Sequence, residues 1–398
     1  KLKLSTITDP FNGWDKTLPV GELGNCWARL FQPKFNQLPF PKGLDSLLIL
    51  KSAGPNYRTS ILGAPMDAKA FISKPNLLSS LNYISDYFKS SIRVLLEEEI
   101  KVVSELEFDK VLKLGKLAIK EEAAGKVRVF AITDVWTQSV LQPIHTYIFD
   151  FLSKIKQDGT FNQAQPIYNL MKVLNARTDK SVWSFDLSAA TDRLPIDFQV
   201  QLLSQLFNRE LADAWKELLV GREWELDSPL YGRHTVNYSV GQPMGALSSW
   251  AMLALSHHFV VQLAASRSGF TTWFEDYALL GDDIVIANRD VANNYLHLMK
   301  TLGLEINLSK SLVSSHGVIE FAKRLVSPTS EYSPVGPKNL LWALKTPSMI
   351  PSVFLDLVGK GFKLDLQAIE DMFHDIDPAV IKLSKSGQEK LLWSIVGP

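Results

Sequence analysis

Gly281-Asp282-Asp283 stands between two apolar runs, Tyr277-Ala278-Leu279-Leu280 and Ile284-Val285-Ile286. Such runs read as strands, and Gly with Asp favours a sharp turn between them. Two adjacent carboxylates on that turn offer hard oxygen ligands that can hold divalent cations against a phosphate chain. Taken alone, the tripeptide reads equally well as a hairpin turn without chemistry. Nearly a hundred residues upstream, Trp183-Ser184-Phe185 reads as the end of a buried strand and delivers a third acid, Asp186, followed by Leu187-Ser188-Ala189-Ala190-Thr191-Asp192-Arg193. Alone, Asp186 could simply cap the next turn. Between the acids lies Gly241-Gln242-Pro243-Met244-Gly245-Ala246-Leu247-Ser248-Ser249-Trp250, a flexible turn opening a helix. An apolar run leading into each acid favours one cluster over separate caps and turns.

The elements that must position these acids follow from periodicity. Ser181 to Phe185 is the strand carrying Asp186, Pro195 to Leu206 and Arg209 to Leu219 read as helices, and Glu223 to Tyr238 as paired strands turning at Gly232. After the Gly281 hairpin comes a helix with Asp290 as N-cap, Val291, Tyr295, Leu298 and Leu302 on one face, and Gly303 beyond its end. A strand from Leu304 to Leu308 should follow. Strand, helix, two strands, helix, strand is the split βαβ order, in which helices cover one face of an antiparallel sheet. Upstream, prolines break residues 1 to about 80 into short pieces, and Leu81 to Lys120 turns helical, with Asp109 to Ile119 as a short helix. Lys126 to Ile132 alternates basic and apolar residues as a half-exposed strand does, and Ser139 to Lys156 reads as helical after Pro143. In the proline-rich tail, short helices are expected at Val353 to Val358, Leu366 to Phe373 and Glu389 to Ile395.

At 398 residues with 46% hydrophobic and 21% charged content, the chain can bury more than one core. Its formal net charge of zero argues against a histone-like binder, so affinity for nucleic acid must come from charges sorted onto one surface. The single cysteine, Cys26, rules out an intrachain disulfide framework and suits a reducing compartment. Lys1 to Thr6 lacks the apolar core of a signal peptide. Ala246 to Ser266 carries no charge and is long enough to span a bilayer, yet Ser248, Ser249, Ser256, His257, His258 and Gln262 favour a buried helix of a soluble protein, and no membrane insertion is expected.

In this order the pieces resemble the palm motifs of viral RNA-dependent RNA polymerases. The wording of Asp186 to Arg193, Gly241 to Trp250, Ser256-His257-His258 and Leu279 to Ile286 is similar to that of the mitoviruses. The resemblance covers about half of the chain. It implies an α+β fold, a right-hand polymerase of fingers, palm and thumb. Residues 1–180 would form the N-terminal region and fingers, with a basic motif at 120–131; residues 181–325 the palm, with a fingers insertion at about 195–240; and residues 326–398 the thumb. The implied activity is template-directed RNA synthesis, with an RNA template, a product strand and nucleoside triphosphates as partners. Joining a 3′-hydroxyl to a triphosphate suits two Mg²⁺ ions about 4 Å apart, with Mn²⁺ as a substitute.

By the same resemblance, Asp186 and Asp282 bridge the metals, Asp283 is a secondary ligand or orients the hydroxyl, and the Leu187 carbonyl completes the coordination. Asp192 would read the ribose 2′-hydroxyl that separates RNA from DNA; its plain alternative is a surface partner for Arg193. Gly241 and Gly245 would permit unusual backbone angles beside the substrate, and Ser248 and Ser249 would offer hydroxyls. Leu253 stands where many related polymerases place an Asn, which shifts ribose selection onto Asp192 and Ser249. Trp250, Met252 and Leu255 read as core. Lys120, Lys126 and Arg128 fit the basic motif that grips the triphosphate, their plain alternative being a solvated strand. Lys310 stands where pyrophosphate is protonated. Glu320-Phe321-Ala322-Lys323-Arg324 matches a hairpin that supports the primer end, with Lys323 and Arg324 on phosphates and Phe321 packing. His257 and His258 point about 100° apart on a helix and read as buried, hydrogen-bonded groups rather than as a metal site. A reverse transcriptase and an inactive RNA-binding relic are the rival readings. Gly281 before the paired acids disfavours the first, and the surviving acids with Lys310 the second. Mitovirus replication implies the host mitochondrion. Protein partners are not legible in the sequence.

Overall fold

The computed structural model describes residues 2–121, 127–307, 309–333, 341–343, 345–346, 349–359, 384 and 386. Its strands are β1 (Gly115–Glu121), β2 (Val127–Thr133), β3 (Val182–Asp186), β4 (Trp224–Ser228), β5 (Gly232–Val236), β6 (Tyr277–Leu280), β7 (Asp283–Ile286), β8 (Leu312–Ser314), β9 (Ile319–Phe321) and β10 (Arg324–Val326). With the helices between them they make a mixed α+β fold.

The central sheet has the order β6-β7-β3-β8, every pair antiparallel. Alternation along a strand gives it two apolar faces. Phe185, Tyr277, Leu279, Ile284 and Ile286 pack into the main core with the Ser249–Arg267 and Arg289–Thr301 helices. Val182, Ala278 and Val285 pack instead with Ile167, Leu170 and Leu174 of the Gln165–Asn175 helix and with Ile319, Phe321 and Val326 of the β9-β10 hairpin. Helices were expected on one face only. The opposite face is also covered, because β3, β6 and β7 carry apolar residues at both parities. Nearly the whole Ser249–Arg267 helix is buried, and among the described residues no helix is long and apolar enough to cross a membrane.

A second sheet has the order β2-β1-β4-β5, with β1 parallel to β4 and the other pairs antiparallel. Leu117, Ala131, Trp224, Leu226, Val236 and Tyr238 form its own small core. A dry ion pair ties it to the Val135–Leu152 helix: the Arg222 guanidinium donates to Asp134 at 2.6 Å, to the Leu114 carbonyl at 2.9 Å and to Thr137 Oγ1 at 2.9 Å. The expected turn at Gly232 is present, at φ +79°.

Several elements differ from expectation. Residues 115–119 are strand rather than helix, because Gly115 lies against Glu223 and the Trp224 ring, where an added Cβ would sit 2.9 Å from the indole. The helix expected after Pro143 begins at Val135, where Asp134 accepts the Thr137 N–H at 2.7 Å, and it runs through Pro143. Asn288, not Asp290, caps the Arg289–Thr301 helix: its backbone is extended and its Oδ1 takes the Val291 N–H at 3.1 Å. Residues 304–307 form no strand. A single bridge joins Leu187 to Ile306, and the fourth strand of the sheet is β8; Leu308 lies outside the described residues. Of the tail helices, one spans Ile350–Gly359, while those expected at Leu366 to Phe373 and Glu389 to Ile395 lie outside the described residues.

Candidate active site

Register brings the acids together. In the β3-β7 ladder Asp186 is the direct partner of Asp283, and by alternation both side chains fall on the face of Val182 and Val285. Asp282, in the turn just before Asp283, is exposed, and its carbonyl accepts the Leu187 N–H at 3.2 Å. Gly281 is required twice: its φ is +58°, and an added Cβ would sit 2.5 Å from the Trp250 ring.

The electrostatics are those of crowded carboxylates. Burial, then the charges of Asp282 and Asp186, push Asp283 up to about 6, against the pull of the Ala322 N–H, which donates to its Oδ2 at 3.2 Å. Lys310 Nζ donates to Asp186 Oδ2 at 3.1 Å, with the lysine side chain 57% exposed and that of Asp186 22%. Among the described residues, no three His, Cys, Asp or Glu side chains are gathered tightly enough to cage a metal ion. The donor set nonetheless fits a hard divalent cation in kind: three carboxylates that repel one another, with a mobile ammonium as the compensating charge.

Asp192 lies on a short turn of helix, Ala190–Arg193. Burial raises its carboxyl to about 6, opposed by the Thr6 hydroxyl, which donates to Oδ2 at 2.7 Å, and by the Arg193 charge. Arg193 itself grips the N-terminal segment, donating at 2.8 Å to the carbonyls of Asp9 and Pro10. A cavity of about 430 Å³ opens between this segment and Ser188, Ala189, Gly303 and Glu305.

The Gly241 to Gly245 loop is held by backbone. Gly241 donates to the Asp192 carbonyl at 3.0 Å, and an added Cβ would collide with the Thr191 carbonyl oxygen. Its need is therefore room rather than an unusual angle. Gly245, at φ +113°, lies against the Ala131 carbonyl, and the Met244 carbonyl accepts the Ala131 N–H at 2.6 Å. Both serines correct the expectation of open hydroxyls. Ser248, at φ +74°, turns inward to accept the Trp215 indole N–H at 2.9 Å, and Ser249 is buried where Gln242 donates to its carbonyl at 3.2 Å. Met252 and Leu255 are core as expected. Trp250 is not: it is 40% exposed, because its ring lies beside the Gly281 turn.

Lys120 and Arg128 are register partners across β1-β2 and exposed, so they share a face with Lys116. Lys126 lies outside the described residues. At the β9-β10 turn, Ala322 and Lys323 both have positive φ, with Lys323 exposed at the tip. Arg324 corrects the expectation of a free phosphate ligand, since its guanidinium is held by Glu331 at 2.9 and 2.6 Å and by Tyr168 at 3.0 Å. Phe321 is buried packing, as expected.

His257 and His258 are buried and hydrogen-bonded. His257 Nδ1 is 2.8 Å from the Gly281 carbonyl and Nε2 is 2.8 Å from the Tyr295 hydroxyl; burial pushes its pKa down to about 4, so the ring is neutral. His258 meets Asp158 at 2.9 Å and the Tyr277 hydroxyl at 2.7 Å. Sequence reasoning missed Thr6, Asp158, Tyr277 and Tyr295. The one available signal was Tyr295 in an apolar helix stripe, since a buried hydroxyl requires a partner.

The sequence model of one family, Mitovirus RNA-dependent RNA polymerase, matches residues 41–390. An RNA-directed RNA polymerase of Cryphonectria parasitica mitovirus 1 is 42% identical over 337 residues, 81% of this chain and 39% of that relative. Two uncharacterized mitochondrial proteins of Arabidopsis thaliana are also similar. One is 44% identical over 199 residues (48% of this chain, 76% of its own length), the other 36% over 163 (40% and 77%). The chain thus spans about two fifths of the viral relative's length.

Proposed function

The chain belongs to the mitovirus RNA-dependent RNA polymerase family, and from that footing we propose that it extends an RNA 3′-hydroxyl on an RNA template, using nucleoside triphosphates, to replicate a viral genome. The observation that carries the reading is the β3-β7 register, which sets Asp186 opposite Asp283 and next to Asp282. Two Mg²⁺ ions, with Mn²⁺ as a substitute, would be held by Asp186, Asp282, Asp283 and the Leu187 carbonyl, and would supply an ionised nucleophile, charge relief and a stabilised leaving group.

The chain's own residues bind, orient and move protons. Lys310 lies on Asp186 and, released from it, gives a proton to the departing pyrophosphate. Lys120 and Arg128 grip the triphosphate from the exposed face of the second sheet, and Lys126 is assigned the same role. Asp192 accepts Thr6 on Oδ2, and its Oδ1 takes the ribose 2′-hydroxyl. Lys323 meets the primer backbone from the hairpin tip.

Residues 1–180 would then be fingers, 181–325 palm with the 195–240 insertion, and 326–398 thumb. The pairing of β1 with β4 supports grouping that insertion with the fingers. Mitochondrial residence is supported by the names of the Arabidopsis relatives.

The test is elongation on a short RNA hairpin. Asp282→Ala should lower the rate by about 10³-fold or more while leaving RNA binding intact. Extension unaffected by that change would refute the reading. Preference for deoxyribonucleotides would indicate a reverse transcriptase, and binding without turnover in either metal a relic.

A further inference from the structure

Each strand that delivers an acid is gripped one residue before that acid, and from the same side. Before Asp282 stands Gly281, whose carbonyl lies 2.8 Å from His257 Nδ1. Before Asp186 stands Phe185, whose ring stacks on Tyr295 at 5.8 Å and 9°. Tyr295 and His257 meet in turn, hydroxyl to Nε2, at 2.8 Å.

The donors in this chain are fixed by elementary chemistry. A carbonyl can only accept, so Nδ1 carries the proton of the neutral ring. Nε2 is then bare, and the Tyr295 hydroxyl must donate to it. The tautomer of His257 is thus set by the Gly281 carbonyl, and the Arg289–Thr301 helix supplies the hydroxyl that meets its other nitrogen, while Trp250 lies against the Cα side of the same glycine. The Phe185 and Tyr295 rings pack in the core on the face of Ile284, opposite the face of Asp186 and Asp283.

We infer that His257 and Tyr295 are a positioning pair, which holds the Gly281 carbonyl and the Phe185 ring in fixed relation and so aligns Asp282 and Asp283 with Asp186 without touching substrate. The inference rests on the polymerase reading for its catalytic consequence, but its structural limb stands apart from it. A pair that merely satisfied buried polar groups would contribute to stability and leave the turnover of the folded protein unchanged. A pair that aligns the acids must alter turnover, because small misplacements of reacting groups cost rate steeply.

The experiment compares Tyr295→Phe, His257→Phe and His257→Asn in the full chain, the last keeping an N–H donor near the place of Nδ1. Three quantities are read on folded protein: kcat and nucleotide KM in hairpin extension, and hydrogen exchange of residues 279–284 without nucleotides. Expected are a kcat lowered about tenfold by Tyr295→Phe and about 10²-fold by His257→Phe, with KM within about threefold and substantial rescue by His257→Asn. Exchange across the turn should speed by about tenfold in both Phe variants. If both Phe variants keep wild-type kcat and exchange, the inference is overturned; if His257→Phe does not fold, Tyr295→Phe decides by the same readings. Should wild-type protein extend no RNA, the function falls while exchange still decides the pair, faster supporting it and unchanged refuting it.

Discussion

Two groups of carboxylates in this chain solve opposite problems. Asp67 and Asp134 lie fully buried beside Arg222, and every contact there is internal. Arg222 and Thr137 bind Asp134, Asn56 donates to Asp67 at 2.7 Å, and burial with the Asp134 charge pushes Asp67 well above the ordinary carboxylate range. At the central sheet, Asp186, Asp282 and Asp283 are crowded too, but the cation on Asp186 is a half-exposed lysine on a flexible stem. A planar guanidinium locked in a dry site is a permanent partner. An ammonium in water is an exchangeable one, which suits acids that must accept a different cation.

The comparison breaks first at the dry pair. Asp134→Ala strands Arg222 in the core and should cost about 3–5 kcal/mol, read by chemical denaturation; a loss within experimental error would mean that the pair is not structural. Lys310→Met should do the reverse. Its kcat should fall about 10²-fold, while the unfolding midpoint barely moves because the pair is exposed. A large loss of stability without loss of rate would place Lys310 with Arg222.

Asp192 sharpens the contrast, being half-buried and committed through a single oxygen to Thr6. Its folded pKa is raised from 3.8 to about 6, so the fold favours the protonated acid. The associated stability is complete below the ordinary value and is lost as pH rises through about 6. Relative to Asp192→Asn, the wild type should therefore lose on the order of 1 kcal/mol between pH 4.5 and 7. Parallel pH profiles of the two proteins would show that Asp192 is not desolvated in solution.

What the sequence disclosed was local. The runs into Asp186 and Asp282 read correctly because alternation and turn chemistry act over a few residues, and Gly245 and Gly303 do take the positive φ their places require. Caps were legible in kind but not in position: Asn288 and Asp290 are both good caps, and backbone geometry chose the first. Ser248 and Arg324 are placed differently from expectation for another reason. Each side chain found a partner in the fold, Trp215 and Glu331, that no spacing announces. The same holds for Asp158 under His258, a hundred residues away, and for residues 115–119, where contact with Trp224 overrides a helical pattern.

The grip of Arg193 on Asp9 and Pro10, with Thr6 on Asp192, carries a wider implication. These N-terminal residues precede the span, 41–390, that the family's sequence model matches. The span that the family's sequence model matches and the segment that the acid at 192 physically leans on are therefore different stretches of polypeptide. A boundary drawn by kinship alone would shear away the hydroxyl beside Asp192 and leave a guanidinium grasping at water.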